Sequence, residues 1–302
     1  MTTNFNSGSA VRPAKFTIEA SDGWRLCLHV IDTQAPDSSA PVLLVFPALA
    51  AATRIYTRMA LSFVKKGYRL VLADPRGSGE SGPLPSTKVD YGITQLLERD
   101  WPAVVGWAKR RYPSAPIVLL GHSLGGQLSA IYAGQHPGSV AAVILLNVSF
   151  VWYRNWSFPS SWALWFIFLS SSLIARVVGY FPGNRLGLGH PVAKMVIQDW
   201  ARWGRRGKYT TEDGNELETY LERVTGPVLS VSFTDDWFYG PRSAVDDFAR
   251  RLKHSRLTRW HLSPAELEAE ELGHFRYLKH SCQLWERIHQ WLNVQLPRTA
   301  VT

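Results

Sequence analysis

Cysteine is almost absent: 302 residues contain only Cys27 and Cys282. Two thiols so far apart build no disulfide framework, and with no Cys/His cluster recognised beside either, we expect no zinc site, no other metal and a reducing, cytoplasmic setting. Acid is also scarce, with 24 Asp and Glu against 33 Lys and Arg and a formal net charge of +9. That excess raises nucleic acid as a partner. The basic clusters are short, however, as in Lys109-Arg110-Arg111 and Arg250-Arg251, and none is interleaved with a nucleic-acid motif. They read as solvated helix faces, and no nucleic acid is expected. The first fifteen residues hold no apolar stretch, so no signal peptide is expected. Long apolar runs are rare too. The one membrane-span candidate, WALWFIFLSSSLIARVV (162–178), has 17 residues, three serines and Arg176. It sits at the lower length limit for a span. We read it as part of a helix pair over a cleft, with an apolar face that also suits peripheral contact with a lipid surface.

What the chain has is apolar residues, 46 % of the total with 12 % aromatic, enough for a sizeable core. From residue 40 continuous Val/Leu/Ile runs alternate with amphipathic segments. PVLLVFP (41–47), YRLVLADP (68–75), PIVLLGH (116–122), AAVILLN (141–147) and PVLSVSF (227–233) read as strands. Helices are expected over 56–67, 90–112, from Leu124 to about His136, 243–253 and 281–296. Strands that are apolar along their whole length indicate a parallel sheet covered on both faces. KFTIEA and RLCLHVID alternate more, as an antiparallel edge hairpin would. The rhythm stops at 148 and resumes after 207. That stretch holds six of the 13 tryptophans, and we expect a helical lid (148–207) inserted into a core made of 1–147 and 208–302.

LLGHSLGGQL (119–128) places Ser123 between a strand and a helix, with Gly121 and Gly125 flanking it. A G-x-S-x-G sequence in that context makes a turn so tight that the serine is strained and its hydroxyl is projected above the sheet edge. Side chains at the flanking glycines would strike the neighbouring strand and helix. An N-cap serine is the plain alternative. A nucleophile also needs an acid and then a histidine, both downstream. SVSFTDDW supplies Asp235 and Asp236 at the carboxyl end of a strand. Asp236 is favoured by its distance past Phe233, and Asp235 remains an alternative. EELGHFRY supplies His274 in a loop before the last helix. His122 is expected to prop the elbow. Two backbone N–H groups must hold the oxyanion, and we assign them to Leu124 and to Ala48 in the alanine-rich loop after Phe46-Pro47. ADPRGSGES (73–81) reads as a turn braced by an Arg–carboxylate pair, not a phosphate loop, since it lacks a Gly-Lys-Ser/Thr ending.

These residues resemble the α/β-hydrolase superfamily over nearly the whole chain. The order Ser123, Asp236, His274 matches, and so does DPRGSGES against a D-x-R-G-x-G-x-S turn. More narrowly, FPALA, GYFPGNRLG, DWARWGRRGKY, SFTDDWF and GHFRY resemble a bacterial group of serine-aminopeptidase/monoacylglycerol-lipase type. Many superfamily members have His-Gly where this chain has Phe46-Pro47. The resemblance implies an α/β-hydrolase fold with a mostly parallel eight-stranded sheet, and a serine hydrolase that needs no cofactor. The expected substrate is a small carboxylic ester or thioester, apolar or anionic in its acyl part. An aminopeptidase and a non-catalytic binding protein on the same fold are the alternatives. Seven Lys/Arg against the single Asp199 in the insert argue against a cationic amino terminus as substrate.

Overall fold

The computed structural model describes residues 13–32 and 39–297. Residues 1–12, and with them most of the segment on which the signal-peptide expectation rests, lie outside the described residues. Eight strands form one sheet in the order β1-β2-β4-β3-β5-β6-β9-β10. The antiparallel members are β1 (Ala14–Glu19) and β2 (Arg25–Ile31). The parallel body comprises β3 (Val42–Phe46), β4 (Arg69–Ala73), β5 (Ile117–His122), β6 (Ala142–Leu146), β9 (Gly226–Phe233) and β10 (Ser255–Leu262).

Strand alternation explains why these runs are apolar throughout. Val42, Leu44 and Phe46 face one layer with Val71, Leu119 and Leu145. Leu43 and Val45 face the other with Leu70, Leu120 and Ile144. The first layer is closed by the helical stretch 93–111 and by the helix Leu124–Gln135. The second is closed by Thr57–Val64 and Cys282–Gln295. In the 93–111 stretch the stripe Ile93, Leu97, Trp101, Val104 and Ala108 is buried as its spacing requires. Trp101 lies flat on Phe46 with ring centroids 4.1 Å apart.

Between β6 and β9, the insert forms the helices Ser160–Val178 and Lys194–Arg206. The sequence pattern misses a two-stranded hairpin between them, β7 (Tyr180–Phe181) with β8 (Val192–Ala193). Strands of two residues are too short to show a period. The helices meet where Phe168 packs on Trp200, at 4.7 Å between centroids, and fills the space a side chain at Gly204 would need. Trp203 stacks on Tyr209 and Tyr209 on Phe150, joining the second of these helices to the segment that follows β6. Asp199 accepts the Ile93 amide at 3.2 Å and pairs with Arg202 at 2.5 Å.

The 73–81 turn is braced by an arginine, as expected, but its carboxylate partners come from elsewhere. Arg76 pairs with Asp100 at 2.5 Å and with Asp22 at 2.9 Å, and the Arg76 and Asp100 side chains are each only 2 % exposed. Burial raises the Asp100 carboxyl to about 6 against the opposing pull of Arg76. Burial also works to raise Asp22, but bonds from Arg76 outweigh it and hold that carboxyl at about 2. Arg76→Ala leaves a buried carboxylate without its cation. Urea denaturation should show a loss of about 3–5 kcal/mol of folding stability.

Candidate active site

Ser123 ends the turn between β5 and the helix Leu124–Gln135 with φ 51° and ψ −120°, in the left-handed half of backbone space that a serine seldom adopts. The flanking glycines make this possible. A Cβ on Gly121 would lie 2.3 Å from Gly126 Cα, and one on Gly125 would lie 2.4 Å from the carbonyl oxygens of Phe46 and Pro47. The Ser123 amide donates to Leu146 O at 3.0 Å, and its carbonyl accepts from Gly126 and Gln127. Leu124 therefore opens the helix, where a backbone N–H has no partner within the helix.

Asp236 lies three residues beyond the end of β9. Its Oδ2 is 2.6 Å from His274 Nδ1, and the two side chains are 2 % and 5 % exposed. Asp236 Oδ1 accepts the Tyr239 amide at 3.3 Å, and Gly240 leaves space beside Oδ2 that a Cβ would enter at 2.8 Å. Asp235, the alternative acid, has another task. Its Oδ2 accepts the Leu272 amide at 2.8 Å and anchors the loop that carries His274. With Nδ1 committed to Asp236, the other ring nitrogen of His274 is the one available for proton transfer.

Two groups in this region escape a sequence reading. Asn147, at φ 47°, donates from Nδ2 to Gly273 O at 3.0 Å and so holds the residue before His274. Tyr56 is fully buried, and its hydroxyl lies 2.8 Å from His122 Nδ1. The Ala48 amide donates to that same hydroxyl at 3.0 Å. The Ala48 amide, expected as an oxyanion donor, is here bonded to a buried phenol oxygen that needs a partner. His122 does prop the elbow. Burial, and then the neighbouring His274, push its pKa well below the usual value, and its ring lies 4.7 Å from that of His274. Proline and alanine at 47 and 48, Leu124, Leu128, His190 and Val196 line a cleft that begins beside Leu124 and runs under the insert. The His190 amide donates to Ala50 O at 2.9 Å, which joins the insert to the Ala48 loop.

A second cluster lies on β2 and the turn after β4. Cys27, read as isolated, has its Sγ 3.9 Å from His29 Nε2, which is 3.1 Å from Asp74 Oδ2. The Cys-x-His spacing was visible in the strand, where alternation puts both side chains on one face. The contribution of Asp74 was not.

A family profile for the alpha/beta hydrolase fold matches residues 41–207, more than half of the chain. The chain belongs to the alpha/beta hydrolase fold family. Within it, the chain is similar to a monoacylglycerol lipase of Mycolicibacterium smegmatis, 29% identical over 117 residues, 38% of this chain and 41% of that protein. It is also similar to a monoacylglycerol lipase of Danio rerio, 31% identical over 195 residues, 57% of this chain and 45% of that one. The chain thus spans less than half the length of these curated relatives. Among solved structures, a soluble variant of the monoglyceride lipase of Saccharomyces cerevisiae superposes with a TM-score of 0.69. It is 16% identical and covers 99% of this chain and 100% of that one. Est1E of Butyrivibrio proteoclasticus with ferulic acid gives 0.63 at 18% identity, covering 94% and 100%. At such identities these structures establish the fold alone.

Tyr56→Phe removes the partner of both the Ala48 amide and His122 Nδ1 without changing the ring. Thermal or urea unfolding should register a loss of about 1–3 kcal/mol, the cost of leaving a buried polar group unpaired.

Proposed function

We propose that the protein is a serine hydrolase that cleaves a small carboxylic ester or thioester through an acyl-enzyme on Ser123. The observation that carries the reading is the 2.6 Å bond between Asp236 Oδ2 and His274 Nδ1, in a loop whose histidine packs against His122, the residue preceding the strained serine. In this reading His274 takes the Ser123 proton as the hydroxyl attacks the acyl carbon. Asp236 fixes the ring orientation and stabilises the imidazolium. The leaving alcohol or thiol takes that proton, and His274 then activates a water to release the acid. The Leu124 amide faces the developing oxyanion. The Ala48 amide joins it only by giving up Tyr56.

The apolar cleft beside Leu124 suits an acyl chain, and the monoacylglycerol lipases among the relatives agree with an ester. The aminopeptidase reading fares worse. The only acid in the insert, Asp199, is buried on Ile93 and Arg202, so it offers nothing to an ammonium group. We extend the proposal to where the substrate comes from. The helix Ser160–Val178 is the one helix among the described residues long and apolar enough to cross a membrane. Its buried stripe packs on the second helix of the insert, while Trp162, Phe166, Leu173 and Val177 are exposed. Arg176 of the same helix is also exposed, and such a helix suits lying on an anionic lipid surface.

A fluorophosphonate probe should label the protein once, on Ser123, and Ser123→Ala should abolish labelling. In steady-state kinetics on p-nitrophenyl esters, Asp236→Asn should lower kcat by about 10⁴, the size of effect known when such a triad loses its acid. Asp235→Asn should cost far less. Equal losses in the two variants would refute the assignment. In sedimentation with anionic phospholipid vesicles, the double variant Phe166→Glu, Leu173→Glu should stay in the supernatant while wild type pellets. Its kcat on a soluble short-chain ester should stay at the wild-type value.

A further inference from the structure

We propose that Cys27, His29 and Asp74 form a binding site for a divalent cation of the zinc class, separate from the Ser123 centre and independent of the hydrolase reading. Strand geometry brings the three donors together. Cys27 and His29 are two apart in β2 and so share a face. The antiparallel register that pairs Leu28 with Ala73 carries on to set Cys27 opposite Asp74, and the Asp74 amide donates to Cys27 O at 3.0 Å. Cross-strand partners project to the same side, so thiol, imidazole and carboxylate converge.

The distances suit a small ion. His29 Nε2 is 3.1 Å from Asp74 Oδ2 and 3.9 Å from Cys27 Sγ, and the three donor atoms lie within 4.8 Å of one another. Tetrahedral zinc, with bonds of about 2.0–2.3 Å, spaces its ligand atoms by roughly 3.3–3.6 Å. Closing this set around an ion therefore takes shifts of a few tenths of an ångström to about one ångström. The carboxylate is already held as metal-bound carboxylates are. Thr53 Oγ1 donates to its Oδ1, and the Glu80 amide donates to Oδ2 at 2.9 Å. Ser81 Oγ bridges the Cys27 amide and Asp74 O at 2.7 and 2.8 Å, locking the two backbones together. The His29 side chain is 17 % exposed, which gives an ion a way in.

The charges balance. The cation displaces the thiol proton of Cys27 and any proton on His29 Nε2, and both leave to solvent. Thiolate and carboxylate then neutralise the two positive charges. Without a cation, burial and then the Asp74 charge push the Cys27 thiol to about 11, so it rests as a neutral thiol. Asp74 experiences burial in the raising direction, but bonds from His29, the Glu80 amide and Thr53 win and hold it below the ordinary carboxylate value.

The test uses cobalt(II) as a spectroscopic stand-in, added to chelator-treated, tag-free full-length protein. One equivalent should bind with a thiolate-to-cobalt charge-transfer absorption, and zinc should displace it stoichiometrically. Cys27→Ser should remove that absorption and Cys282→Ser should keep it. His29→Gln, at a position 17 % exposed, should weaken zinc binding by at least tenfold in calorimetry, with unfolding by urea followed alongside. Thr53→Ala, which removes only an outer hydrogen bond, should weaken it by roughly 10–100-fold. An absorption that survives Cys27→Ser, no absorption in wild type, or identical zinc isotherms for His29→Gln and wild type would each overturn the proposal.

Discussion

The backbone of Ser123 is held where an L-residue loses energy, on the order of 1–3 kcal/mol for such a conformation, and much of the molecule serves to keep it there. The strain persists because three packed elements over-determine it. β5 delivers the chain through Gly121, the helix Leu124–Gln135 leaves through Gly125, and both glycines sit against main chain with no room for a methyl group. Leu146 O, from the next strand, takes the serine amide. Relaxing the turn would mean moving the strand, the helix or the Phe46–Pro47 segment, and each is fixed by the apolar layers on both sides of the sheet.

Around that fixed point the polar groups are shared out so that few compete. Asp236 faces His274, while its neighbour Asp235 holds Leu272 and Asn147 holds Gly273, so two anchors in succession position the histidine loop. Tyr56 ties the Ala48 loop to His122. Arg76 satisfies two carboxylates, one of them as buried as itself. Asp74 joins Thr53, Glu80 and His29. Several of these acids fasten more than one segment at once, which explains how a chain with few acids still ties its loops to the sheet.

The parts of this arrangement legible in the sequence are those with a local signature. Val42–Phe46, Ile117–His122 and Ala142–Leu146 could be recognised because strands buried on both faces are apolar at every position. Ser123 could be recognised because its glycines sit at fixed offsets, and Asp236 and His274 because chain order confines them to two short loops. What stayed hidden depends on long-range registry. That Tyr56 captures the Ala48 amide follows from how a helix packs, and no residue pattern marks it. Cys27 and His29 announce a shared face, but Asp74 joins them only through the pairing of β2 with β4. Asp22 and Asp100 reach Arg76 from opposite directions along the chain, so a braced turn was readable and its partners were not.

The central claim is that a covalent intermediate forms on one serine. It is tested most directly by rapid-quench kinetics on a p-nitrophenyl ester, with peptide mass mapping of the quenched protein. The account predicts a burst of nitrophenol approaching one equivalent per chain wherever deacylation is the slower step, with the acyl mass on the peptide containing Ser123. A quenched protein that turns over the ester but carries its acyl group on another residue, or on none under conditions where a burst is seen, would contradict it.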